Sequence, residues 1–255
     1  MTLLEVRRSR DRGYDDHGWL KSWYTFVFAD YYDPEHLDFG PLKVMNEDRV
    51  KAGKGYPDEY LRDTEVLTYL IDGELRHEDS LGNQALLRAG SLQRMSAGTG
   101  IRHTESNPSA SREAHLLHIC IKPTKSGLPP GYEQKHFGAD EKRGMLRLLA
   151  SPDGDNGSLI VHQDARIYGG LFNDAERMKL ELPKNRRAFL HVVRGSIAIN
   201  ETRLNVGDGV KISPPVDVML QHGREADVIV FEMPAGTPPP KRKSTQRLKS
   251  KPAAA

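Results

Sequence analysis

Gly98-Thr99-Gly100-Ile101-Arg102-His103-Thr104-Glu105-Ser106-Asn107 is the stretch from which this chain can be read. A Gly-Thr-Gly turn delivers a short run in which His103 and Glu105 stand two residues apart. Alternate side chains of a β-strand point to the same face, so imidazole and carboxylate would project together into one cavity. That pair is half of a mononuclear metal site, and the remaining ligands have to come from another strand.

The surrounding sequence supplies many short strands separated by turn signals. Tyr24-Thr25-Phe26-Val27-Phe28-Ala29 is aromatic and β-branched and closes on Tyr31-Tyr32-Asp33-Pro34. Leu42 to Asn46 alternates apolar and polar residues, as a half-buried strand does. Glu65 to Gly73 reads as a strand ending on the hairpin signal Asp72-Gly73, with Glu74 to Ser80 as its expected partner. His115-Leu116-Leu117-His118-Ile119-Cys120-Ile121 is nearly all apolar and reads as a strand covered on both faces. After a Pro- and Gly-rich stretch over 122–157 the pattern begins again. Val66 to Gly73 is echoed by Phe189 to Gly195, and Leu87-Arg88-Ala89-Gly90-Ser91 by Leu204-Asn205-Val206-Gly207-Asp208. The glycine-to-glycine spacing is 17 residues in the first half and 12 in the second, an imperfect internal duplication of one β unit. Strands at this spacing mean barrels or sandwiches.

Composition narrows the function classes. The single cysteine, Cys120, excludes an intramolecular disulfide. No apolar run approaches the ~20 residues of a membrane helix. The first eight residues, Met1 to Arg8, include Glu5 and have no apolar core, so they do not read as a secretory signal. A soluble, cytoplasmic, monomeric protein is expected. The net charge of +2 hides an asymmetry. No acid follows Glu232, whereas Lys241, Arg242, Lys243, Arg247, Lys249 and Lys251 do; removing those six leaves 31 basic against 35 acidic residues, a body of −4. Such a body offers no nucleic-acid surface, so any nucleic-acid contact falls to the tail.

Two motifs resemble those of the pirin-like bicupin family. Asp16-His17-Gly18-Trp19-Leu20 through Tyr31-Tyr32-Asp33-Pro34 is similar to its N-terminal signature, and Met95 to Glu105 to its second metal motif. Gly127 to Gln134 and Ala188 to Gly195 extend the likeness, which covers roughly residues 14–233. The resemblance implies an all-β chain of two tandem cupin barrels, each a double-stranded β-helix or jelly-roll, with metal in the N-terminal one only. It also implies a site of three histidines and one glutamate, and quercetin 2,3-dioxygenase activity in several members. The expected boundaries are 1–125 for the first barrel, 126–157 for the connection, 158–233 for the second barrel and 234–255 for a disordered, basic, Pro-rich tail.

The chain departs from the family at its first ligand motif. Where the family has His-Pro-His-Arg-Asp, this sequence has Glu59-Tyr60-Leu61-Arg62-Asp63. Leu61 cannot ligate; Glu59 can, through oxygen. Three readings follow. Glu59, His103 and Glu105 form a weakened site for one divalent ion such as iron, manganese or nickel, with Glu105 also a proton acceptor toward a small aromatic, flavonol-like substrate. One nitrogen with two carboxylates is a harder donor set than three imidazoles and holds such metals less well. Alternatively, the pocket holds no metal and binds an organic ligand or a partner. Finally, another histidine completes the site; His115 and His118 are nearest in sequence but fall on opposite faces of one strand. The function expected is a weak or altered dioxygenase, with a non-catalytic binding or regulatory bicupin as the alternative.

The remaining candidates have plainer readings. His17 is a structural residue or part of the pocket mouth, His77 lies on a polar hairpin arm at the surface or pocket wall, and His191 is a satisfied core histidine. Arg62 and Asp63 form a supporting ion pair, and Cys120 is a buried, inert thiol. The tail is either a solvated appendage or a polyanion-binding segment. Deleting residues 234–255 separates these: loss of salt-sensitive heparin retention supports polyanion binding, and unchanged retention refutes it.

Overall fold

The computed structural model describes residues 4–214 and 217–235, so residues 236–255 of the expected basic tail lie outside the described part. The first half contains β1 (Leu4–Arg7), β2 (Gly13–Asp16), β3 (Leu20–Tyr24), β4 (Leu42–Val50), β5 (Glu59–Leu61), β6 (Glu65–Asp72), β7 (Glu74–Asp79), β8 (Gln84–Arg88), β9 (Ser91–Ser96), β10 (Ile101–Ser106) and β11 (Ala114–Ile121). β12 (Gly131–His136), the single-turn α1 (Ala139–Lys142) and β13 (Leu146–Ser151) follow. The second half has β14 (Leu159–Ile160), β15 (Arg166–Phe172), β16 (Met178–Glu181), β17 (Arg186–Ile199), β18 (Thr202–Asn205), β19 (Gly209–Ile212) and β20 (Asp217–Pro234). No helix among the described residues is long and apolar enough to cross a membrane.

Each half is an all-β cupin unit, as the strand pattern implies. In the first, a seven-stranded sheet, β12-β9-β6-β11-β4-β3-β2, faces a four-stranded one, β5-β10-β7-β8, so the unit is two facing sheets rather than one closed barrel. Leu20, Val50, Leu70, Leu75, Leu87 and Leu116 fill part of the space between them. β6 and β11 are apolar on both faces because both faces are covered. Their outer residues, Leu67, Leu117, Ile119 and Ile121, pack against Phe189, Ile229 and Phe231 of the second unit. Phe189 anchors that seam, its ring centroid 5.4 Å from Phe26 and 5.8 Å from Phe39. Burying side chains of this size contributes about 1.5–3 kcal/mol each.

Three expectations change. The hairpin across Asp72-Gly73 does not form: β6 pairs with β9 and β11, while β7 pairs with β8 and β10 in the opposite sheet. Gly73, at φ +81°, turns the chain across the unit instead of back on itself. The second change concerns 126–157, which is not a free connection. β12 completes the edge beside β9, and β13 pairs with β15 of the second unit. Likewise β1 leaves the first unit to pair with β19. Both exchanges cover strand edges that would otherwise carry unpaired backbone groups. Thirdly, His191 is buried but not satisfied, since neither ring nitrogen has a hydrogen-bond partner.

The duplication is visible in the backbone. Gly73 and Gly195 lie at φ +81° and +64°, and Gly90 and Gly207 at +86° and +80°. A Cβ on Gly195 would meet the backbone of Arg224 and Glu225, so Gly195→Ala should destabilise the protein by about 2 kcal/mol or more in urea unfolding. A change within experimental error would contradict this.

His191 borders a buried charged cluster in which Glu47 accepts from Arg12 Nη2 at 2.9 Å and lies 2.9 Å from His115 Nε2. Burial opposes ionisation of Glu47, but His115 and Arg12 outweigh it and pull its pKa to about 2. Burial pushes His191 down to about 3. Between pH 6.5 and 4.5 the unfolded chain therefore binds a proton at this histidine that the folded chain rejects, so stability falls as pH falls. His191→Leu should remove about 3 kcal/mol of that decline across the window, read from urea midpoints. Parallel pH profiles for the two proteins would refute it.

Candidate metal centre

The site is built by strand register. β10 pairs with β5 on one side, placing His103 opposite Glu59 and Ile101 opposite Leu61. On its other side β10 pairs with β7, placing His103 opposite Asp79 and Glu105 opposite His77. Residues directly opposite in an antiparallel pair share a face. All of these side chains therefore point toward the seven-stranded sheet.

His103 and Glu105 come together as the sequence implies. The third member of the buried cluster is His77, not Glu59. Ligand atoms of His77, His103 and Glu105 all lie within 4.8 Å of one another, and all three residues are buried. Glu59 stands at the rim: its side chain is 57% exposed, with Oε2 4.0 Å from His103 Nε2. The sequence places His77 on a hairpin arm because Glu74 to Ser80 is polar and follows the strand Glu65 to Gly73 directly. With β10 as the real partner, the alternation Leu75, His77, Asp79 faces inward. That period-two pattern, starting from Leu75, is the signal that could have found it.

Each cluster member is oriented from behind. His77 Nε2 lies 3.0 Å from Asp79 Oδ2, and Asp79 is itself fixed by the backbone N–H groups of Leu81 and Asn83 and by the Asn83 side chain. An imidazole that donates Nε2–H to a carboxylate presents its Nδ1 lone pair on the opposite edge. Here Nδ1 faces Glu105 Oε1 at 3.7 Å, too far for a hydrogen bond. Tyr132 stacks on His77 at 4.4 Å between ring centroids. Glu105 Oε1 accepts from Gln93 Nε2 and, at 3.3 Å, from Thr68 Oγ1. Tyr132 OH donates to Gln93 Oε1 at 3.0 Å, which points the Gln93 amide N–H groups toward Glu105.

The electrostatics favour positive charge here: burial lowers the His77 pKa, but Glu105 and Asp79 outweigh burial and raise it, and an ion would take the place of that proton. Burial pulls His103 toward its neutral form. Burial opposes ionisation of Glu105, but His77, His118 and His103 outweigh it and keep the carboxyl below its usual range. Most tellingly, His103 Nδ1, His103 Nε2 and His77 Nδ1 are buried with no hydrogen-bond partner. Unpaired buried nitrogens are costly, and an ion between the two rings would use one lone pair from each. The donors present therefore fit a divalent metal: two imidazoles and one carboxylate, the set used by non-haem metal centres with open positions.

Other residues fall outside the cluster. Leu61 packs with Val66, Met95, Ala97 and Ile101, so it forms an apolar plug beside the cluster. His115 is held by Glu47 and His118 lies 3.6 Å from the Cys120 sulfur, so neither joins. Cys120 is only partly buried. Arg62 and Asp63 form their ion pair at 3.6 Å, largely in solvent, and His17 pairs with Asp15 at 3.2 Å on the exposed β2–β3 hairpin.

Comparison with known proteins agrees with this architecture. The Pirin family profile matches residues 4–121, and that of the quercetinase C-terminal cupin domain matches residues 148–233. A quercetin 2,3-dioxygenase of Escherichia coli K12 is 39% identical over 232 residues, spanning 91% of this chain and 99% of the relative. A putative quercetin 2,3-dioxygenase of Pseudomonas aeruginosa is 37% identical over 229 residues, 89% and 98% of the two chains. The crystal structure of the bacterial pirin YhhW of Escherichia coli in complex with nickel(II) superposes with a TM-score of 0.86 at 38% identity, covering 91% of this chain and 99% of the other. From its two consecutive cupin units and these matches, the chain belongs to the pirin family of bicupins.

Proposed function

We propose that this chain is a metal-dependent dioxygenase of altered donor set, acting weakly or with changed specificity on flavonol-like aromatic substrates. The observation that supports this reading is the convergence of one unpartnered imidazole nitrogen from each of His77 and His103 on Glu105. His77, His103 and Glu105 would hold one divalent ion, with Glu59 at the rim as a further oxygen donor. The ion, when bound, supplies Lewis acidity and a template for an enolic substrate oxygen and dioxygen. Glu105, ionised and held by Gln93 and Thr68, accepts the substrate hydroxyl proton. Asp79 keeps His77 in one tautomer, and Tyr132 fixes its ring plane.

The weakening follows from chemistry. The family's motif offers two imidazoles at positions 59 and 61, where this chain has an exposed carboxylate and an alkyl side chain. A softer metal such as nickel or iron loses affinity with each lost nitrogen. The Leu61 plug also favours a second reading, in which the pocket binds an aromatic ligand without catalysis.

Metal analysis tests the proposal. Protein purified without chelator and then equilibrated with nickel, iron or manganese should retain close to one ion per chain. His77→Ala should lose it, and Asp79→Asn should weaken binding about 10–100-fold. Retention unchanged in His77→Ala, or no retention by the unsubstituted protein, would overturn the reading. The double variant Glu59→His with Leu61→His should raise quercetin turnover about tenfold or more if the donor set limits activity. No turnover in either protein, with metal bound in both, would favour the binding reading.

A further inference from the structure

β6 has two functional faces. Thr68 reaches Glu105 on the inner face, whereas Tyr69 and Ile71 point outward into a cleft of about 770 Å³ between the two cupin units. That volume suits a small organic ligand. The cleft has a polar floor. Lys142 Nζ donates to Tyr69 OH at 3.0 Å, and Tyr69 OH donates to Asp227 Oδ2 at 3.4 Å. At the exposed mouth of the cleft, Arg194 Nη2 donates to the Ile71 carbonyl at 2.6 Å. Ile71, Leu171 and Phe172 give the cleft apolar walls.

This floor is incomplete as a structural network. Lys142 is only 4% exposed, yet Tyr69 is its one hydrogen-bond partner among the described residues. A buried ammonium has three protons to place. Asp227 is 9% exposed, and its Oδ1 has no partner among the described residues. A buried pair built for stability would put ammonium and carboxylate in direct contact; here a phenol stands between them. Lys142 and Arg194 both act on Asp227, and Arg143 and Glu225 also line the cleft, so its cationic side chains outnumber its carboxylates by one. Asp227 also lacks a donor, which a simple anion could not provide. The missing group therefore carries a carboxylate and a hydroxyl, on a body flat and apolar enough for the walls.

We propose that this cleft is a second binding site, distinct from the His77 cluster, which takes a small aromatic hydroxy-acid with its carboxylate on Lys142 and Arg194 and its hydroxyl on Asp227. Burial lowers the Lys142 pKa and raises that of Asp227 to about 6, as expected for groups poised to be completed by a ligand.

Calorimetric titration of the full chain with 2-hydroxybenzoate and 4-hydroxybenzoate tests this, with benzoate and phenol as controls. At least one hydroxybenzoate should bind saturably and more tightly than either control. Lys142→Met and Arg194→Gln should each weaken that binding about tenfold or more, while Glu105→Ala should retain it. Arg194 lies at the exposed mouth of the cleft, so its variant carries the test even if Lys142→Met fails to fold. No saturation by about 10 mM, binding unchanged in Arg194→Gln, or binding lost in Glu105→Ala would each overturn the proposal, the last by placing the probe at the metal cluster.

Discussion

The pairing of β10 with β7 is the constraint on which the candidate site depends. Its register sets Glu105 directly opposite His77 and His103 opposite Asp79. A slip of one residue would turn every one of these groups to the outer face. The register is guarded from both ends. Gly73 turns the chain into β7, and Asp79 closes the β7–β8 turn by accepting from Leu81 and Asn83. The carboxylate that fixes the turn is the one that orients His77, so fold and site share a residue.

The same arrangement explains why Glu59 and Leu61 stand apart from the buried cluster. Those positions lie on the short edge strand β5, which meets the sheet only through β10. An edge strand tolerates substitution because few contacts depend on it. Leu61 gains burial against Ile101 and Met95, and Glu59 gains solvent. The inner strands β7 and β10 keep two nitrogens and a carboxylate, backed by Gln93, Thr68 and Asp79. The chain thus presents a three-donor set of His77, His103 and Glu105.

Much of the fold was legible in the sequence, and the reasons are local. Alternation and turn glycines marked the strands, and the matched glycines at 73 and 195 marked the duplication. The double burial of β11 could be read from its apolar run. His103 and Glu105 were legible because they share one strand. His77 was not, because its place depends on which strand β7 pairs with, and that non-local choice leaves no trace in a polar hexapeptide. The unsatisfied state of His191, the exchange of β1 into the second unit and the cleft behind Tyr69 likewise arise from contacts between distant segments.

X-ray absorption at the edge of a bound nickel ion reads the identity of the ligands most directly. The spectrum should carry the multiple-scattering signature of two imidazoles with oxygen donors, falling to one imidazole in His77→Ala. A spectrum with a single imidazole in the unsubstituted protein, unchanged by that substitution, would contradict this.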